Sequence, residues 1–306
     1  MTPRFLPAVS AVALAAMLAT GCGTQEYDAG SAAADTPPTR LSTASPSEPP
    51  ADVVPDDYTG TLRGSFTVLE SPEHGPQLCS AVAESLPPQC AGADIEGWKW
   101  DGVRSESVRG TTWGDFEVTG TYVDGIFTLT EPARPARYPE ASDEPVPTPC
   151  PEPPGGWKPA DPSRATPAAQ DEAILVAGES AELGGVWISW LVPTSELTEQ
   201  NANDPSLYVL NISTRGDTAA MEQKVRNVWG GSLCVSSADR TEYELNQIAN
   251  QVMKWPGVTS GGPDNVEGNV DVGVWVVTES LWRRAVNEFG PGVVDFGGLL
   301  QPVEKG

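Results

Sequence analysis

Histidine is nearly missing from this chain: His74 is the only one among 306 residues. Imidazole is the commonest general acid or base. His74 lies in the loop Pro72-Glu73-His74-Gly75-Pro76 and reads as a solvated loop residue, so imidazole chemistry is not expected. No GxSxG nucleophile elbow occurs. There is no CxxC pair either, which argues against a zinc site. Gly261-Gly262-Pro263 lacks the spacing and the lysine of a phosphate loop and reads as a turn. Positive charge is scarce as well: 18 Lys and Arg stand against 42 Asp and Glu, a net charge of −24. Such a chain repels polyanions, so nucleic acid is not an expected partner, and the acidic residues read first as a solubility device. No cofactor or resident metal is expected.

Long apolar runs are also lacking. The longest, Leu6 to Leu18, is too short to span a bilayer. Arg4 precedes it, and Ala19-Thr20-Gly21-Cys22 follows. That order is a bacterial lipoprotein signal, in which Cys22 is acylated and becomes the first residue of the mature chain; a plain secretory signal cut nearby is the alternative. Lipid chains at about 0.8 kcal/mol per buried methylene would then anchor the protein to the membrane, on its extracytoplasmic face.

Four further cysteines, Cys79, Cys90, Cys150 and Cys234, are an even number in an exported chain, which points to disulfides. Three pairings are open, and the short spacing favours Cys79 with Cys90, leaving Cys150 with Cys234. Loop entropy assigns about 3 kcal/mol to the short bridge and about 4.5 kcal/mol to the long one.

Five segments follow. Residues 1–21 are the signal. Residues 22–56 are poor in large apolar groups and read as a disordered tether reaching about 30 Å. Residues 57–130 read as a small β barrel or sandwich, with strands at Tyr58–Leu69, Ile95–Trp100, Asp115–Val123 and Ile126–Thr130; Asp124-Gly125 marks a hairpin. A five-stranded oligosaccharide/oligonucleotide-binding barrel is one candidate. Residues 131–168 are proline-rich, hence extended and stiff rather than packed.

Residues 169–306 read as α/β, with helices over Thr218–Trp229, Thr241 to Val252 behind a capping box, and Thr278–Phe289. If Gly257–Ser260 pairs with Val270–Val277, the order from Leu233 onward is β-α-β-β-α-β, a ferredoxin-like unit. The fold class expected is α+β.

Three stretches carry a resemblance: Leu78-Cys79-Ser80 with Ala83 to Cys90, Cys150-Pro151-Glu152-Pro153-Pro154-Gly155-Gly156-Trp157, and Val228 to Cys234. They are similar to an uncharacterised family of actinobacterial exported proteins and lipoproteins. The resemblance implies export and the two-disulfide scheme, and brings no activity with it. More faintly, the C-terminal part is similar to the prodomains of secreted serine proteases.

Candidate ligand contacts are few. Trp98 and Trp100 share a strand face with Trp113 nearby, a stacking platform for sugar or peptide if they are not barrel core. Asp264, Glu267 and Asp271 are hard oxygen donors but read as a polar hairpin tip. The chain is therefore expected to be a membrane-anchored binding or accessory module without enzymatic activity, its partner a protein or glycan of the envelope. The alternatives are a glycan hydrolase acting on envelope polymer and a protease inhibitor or chaperone acting in trans.

Overall fold

The computed structural model describes residues 49–138 and 142–303, which fall in one compact unit. Cys22 and the signal lie outside the described residues. The architecture is mixed α+β, and its first half is a barrel. The strands are β1 (Leu62–Ser71), β2 (His74–Ala83), β3 (Gln89–Glu96), the short β4 (Glu106–Val108), β5 (Thr111–Val123), β6 (Ile126–Leu129) and β7 (Arg134–Pro135).

Five of them close on themselves in the order β1-β2-β3-β6-β5-β1. Only the β3–β6 closure is parallel; the other barrel pairings are antiparallel. Alternation builds the core: Leu62, Phe66 and Val68 on β1, Phe116 and Val118 on β5, and Phe127 on β6 point inward and are buried. The expected Asp124-Gly125 hairpin is present, with both residues at positive φ as its tight turn requires. The Cys79–Cys90 disulfide staples β2 to β3.

The second half differs from the ferredoxin-like unit expected. It consists of α1 (Pro167–Gly178), β8 (Leu183–Trp190), β9 (Tyr208–Thr214), α2 (Thr218–Arg226) and β10 (Ser232–Ser237), then α3 (Glu242–Val252), β11 (Val258–Asp264), β12 (Asn269–Val274), α4 (Glu279–Phe289) and β13 (Val294–Gly298). The strands form two separate three-stranded sheets, β10-β9-β8 and β11-β12-β13. In each, the first two strands are antiparallel and the last two parallel. The same five-element order, α-β-β-α-β, therefore occurs twice. β10 pairs with β9, the strand before its preceding helix, and does not join the later hairpin.

Each unit has its own core. In the first, Leu210 and Ile212 pack on Ala173, Met221, Val225 and Trp229. In the second, Val270, Val272 and Val274 pack on Leu245, Ala249, Val252 and Ala285. Helix starts follow local chemistry. Thr166 accepts from Ala169 N–H ahead of Pro167, and Thr241 and Glu244 form the expected reciprocal capping box. The α1 helix falls across the boundary drawn at residue 168.

The proline-rich connector is extended but packed, which corrects the expectation. Asp143 accepts hydrogen bonds from Thr194 Oγ1 and from the backbone N–H and Oγ of Ser195. Further along, Thr148 donates to Asn211 Oδ1 at 2.6 Å, and Cys150 is bonded to Cys234. Arg164 then donates to the carbonyls of Arg226 and Asn227, satisfying acceptors at the end of α2.

The barrel core is shared with residues of the C-terminal part. A last strand, β14 (Gln301–Pro302), pairs with Leu62 and Arg63 of β1. Leu300 is buried among the barrel side chains, with Trp275, Val276 and Leu299 packed against them.

Candidate functional site

A cleft of about 840 Å³ opens where four distant stretches meet: residues 54–62, the β5–β6 turn, Pro256-Gly257 behind α3, and the β12–α4 connection. Its size is that of a small-ligand site. Val54 starts one wall. It forms a parallel bridge with Thr278, donates its N–H to Val277 O and accepts from Glu279 N–H, both at 2.9 Å. Val54 is 4% exposed, so the segment read as the end of a tether belongs to the folded body.

The aromatic wall is a ladder. Tyr122 stacks on Trp275 (centroids 5.8 Å, 28°), and Trp275 stacks on Phe66 (5.7 Å, 30°), running from the cleft into the barrel core. Burial raises the pKa of the Tyr122 phenol, which keeps it neutral. Tyr58 lines the same cleft and donates its hydroxyl to Thr61 O.

Polar groups stand around this wall. Asp56 Oδ1 accepts from the Ser280 N–H at 3.0 Å, and that hydrogen bond first, with the Ser280 hydroxyl second, holds its carboxyl below the usual range. Asp57 and Asp124 are exposed members of the lining. Arg284 lies 4.0 Å over the Trp255 ring and donates to Glu288 Oε1 at 2.7 Å, so its charge is already partnered. The arrangement offers stacking surface, phenol hydroxyls and carboxylate acceptors.

The tryptophans singled out from sequence lie elsewhere. The expected strand Ile95–Trp100 stops at Glu96, because Gly97 turns the chain at φ +80°. Trp98 and Trp100 follow in a loop and fold back on the barrel. Trp98 meets Trp100 edge-on at 5.2 Å and Phe116 at 4.9 Å, and Trp100 lies 6.2 Å from Phe116. The Trp98 Nε1 is buried with no hydrogen-bond partner among the described residues, and Trp100 Nε1 donates to Glu70. This is a packed cluster at the barrel wall. Trp113 is half-buried on β5, opposite Leu69 and Glu106.

Asp264 Oδ1 accepts from the N–H groups of Val266 and Glu267, ordering the β11–β12 turn. Among the described residues no helix is long and apolar enough to cross a membrane.

Sequence reasoning missed the cleft, because its residues come from four stretches that no local spacing connects. Two of its parts were visible singly: the Asp124-Gly125 turn and the start of α4 at Thr278. Comparisons with protein-family models, curated proteins and solved structures give no match.

Proposed function

We propose that the protein is a lipid-anchored extracytoplasmic binding module, held through Cys22, whose ligand site is the cleft between the barrel and α4. One observation carries this reading: an aromatic-walled cleft has Val54 and Asp56, from the N-terminal end of the described residues, built into its rim. Stacking surface beside hydroxyl and carboxylate groups suits a saccharide, whose apolar ring faces lie on aromatics while its hydroxyls donate to carboxylates. Asp56, Asp57 and Asp124 disfavour anionic sugars, so a neutral or amino sugar of the envelope is the ligand class. The closed barrel, with its single parallel pair, supports a barrel of the oligosaccharide/oligonucleotide-binding type, and the net charge of −24 favours the first of those ligands. The two disulfides suit an oxidising compartment.

The test is an array of envelope glycans probed with the wild-type protein and with Val123→Arg, which places a long side chain at the exposed rim. Glycan binding that the variant abolishes supports the module. Turnover of the bound glycan would make the protein a hydrolase, and binding unaffected by the variant would move the site away from the cleft. Separately, Cys22→Ala should release the protein from the membrane fraction; retention would refute the anchor.

A further inference from the structure

The two α-β-β-α-β units use the same sheet face differently. In the first, the face turned away from the helices carries Ser189, Asn211, Ser213 and Cys234, all buried. The connector lies across it, through Thr148 on Asn211 and Cys150 on Cys234. Every residue of the central strand β9 is consequently buried.

In the second unit the same face is left uncovered by the described residues. Asn211 is in register with Cys234, and Asp271 is in register with Asp295, so two exposed carboxylates stand where the first unit has an amide and a bridged sulfur. Across the three strands the rows read Gly262-Asp271-Asp295 and Ser260-Gly273-Gly297. They floor an open depression of about 590 Å³.

Gly273 is held small by its neighbour, since a Cβ there would run into Ser260 Oγ, but the outer-strand glycines Gly262 and Gly297 have no such local explanation. A glycine inside a strand weakens it and often marks close approach of another backbone. Gly262 and Gly297 have no positive φ, and a Cβ added to either would meet nothing within 4 Å. Turn geometry and packing therefore leave these positions free to carry side chains, and what glycine supplies is a low floor.

We propose that this face of β11-β12-β13 is a docking surface for an extended cationic polypeptide from a partner protein, seated as the connector is seated on β8-β9-β10. The charge fits. Burial raises the Asp271 carboxyl's pKa, and Asp264, Asp295 and Glu267 add to the rise, so an arriving Lys or Arg side chain relieves a repulsion already present. The chain's own residues 23–48 are the wrong occupant, because they carry Glu26, Asp28, Asp35 and Glu48 against Arg40 alone.

The experiment uses the full-length protein purified in detergent with both disulfides formed, and a fluorescein-labelled peptide of alternating lysine and proline read by polarisation. The matching glutamate–proline peptide is the control. Lys-Pro peptide should bind and Glu-Pro peptide should not. Asp271→Asn with Asp295→Asn should weaken binding about tenfold. Gly297→Ala, whose Cβ would meet nothing within 4 Å, should weaken binding without lowering the melting temperature. Absence of binding, or equal binding by the wild type and either variant, would overturn the proposal. So would tighter binding after deletion of residues 23–48, since it would make the chain's own segment the occupant.

Discussion

Asp56 caps a helix from far away in the sequence: its carboxylate accepts the N–H of Ser280, 224 residues later, at 3.0 Å in the first turn of α4. Thr278, the residue in the N-cap position, makes no such side-chain bond. A distant carboxylate thus does what the local residue does not, and it ties the start of the folded body to the C-terminal unit.

Asp56→Ala should therefore destabilise the protein by about 1 kcal/mol, the usual value of an N-cap. Because the folded-state pKa is lowered, this contribution is present above the unfolded carboxylate pKa near 4 and is lost as pH falls through the lower folded value. Urea midpoints of wild type and variant should differ at neutral pH and converge in strong acid. A difference that persisted in acid would show that the cap's charge is irrelevant.

Removing the long disulfide by Cys150→Ser with Cys234→Ser should lower stability by about 4.5 kcal/mol, less any strain the bridge carries. It should also free the connector from the sheet it covers. Hydrogen exchange should then rise in β9 and β10, whose outer face holds Asn211 and Cys234, and stay unchanged at β2 and β3. Removing the Cys79–Cys90 bridge should give the opposite pattern, with a smaller loss of about 3 kcal/mol.

Leu300 is 1% exposed inside the barrel, although it lies at the far end of the sequence. Leu300→Ala should cost about 3 kcal/mol, as for other large-to-small changes in a core. The isolated segment 57–130 should give a collapsed chain without dispersed amide signals, since it lacks Trp275, Leu299 and Leu300. A well-dispersed spectrum from that segment would refute the shared core.

Tyr208 is buried and hydrogen-bonded to Gln170, and burial, with Asp204 and Asp171 adding to it, raises its pKa to about 12. Its unfolded value is about 10. The folded state thus holds the proton more tightly, and the stability linked to it is complete below pH 10 and lost as pH rises towards 12. Tyr208→Phe should flatten the alkaline fall in stability, and a difference titration of phenolate absorbance should lose its latest-titrating component.

What the sequence revealed is what local physics controls. The capping box at Thr241 and Glu244, the Asp124-Gly125 turn and the alternating valines of β12 each declare themselves within a few residues. The α1 helix did not: it buries only Ala173 and Ala177 and leaves Leu175 exposed, so its pattern has no apolar stripe to find, and the Thr166-Pro167 start was its one signal. Without α1 the second half read as one ferredoxin-like unit in place of two repeats. The cleft depends on Val54, Tyr122, Trp275 and Ser280 meeting, which is a matter of strand partnership, and periodicity does not report partners. Trp98 and Trp100 had the spacing of a shared strand face, but Gly97 ended the strand before them.

The pairing of β14 with β1 sets a timetable for the chain. A polypeptide that emerges N-terminus first, from a ribosome or a translocation channel, releases β1 to β6 long before Gln301 and Pro302. Until then one edge of β1 at Leu62 and Arg63 has no strand beside it, though β5 holds the other, and the barrel core lacks Leu300, so an early part of the fold is completed late. A chain cut short before Leu300 would leave that edge of β1 without a partner and the barrel core without one of its buried side chains.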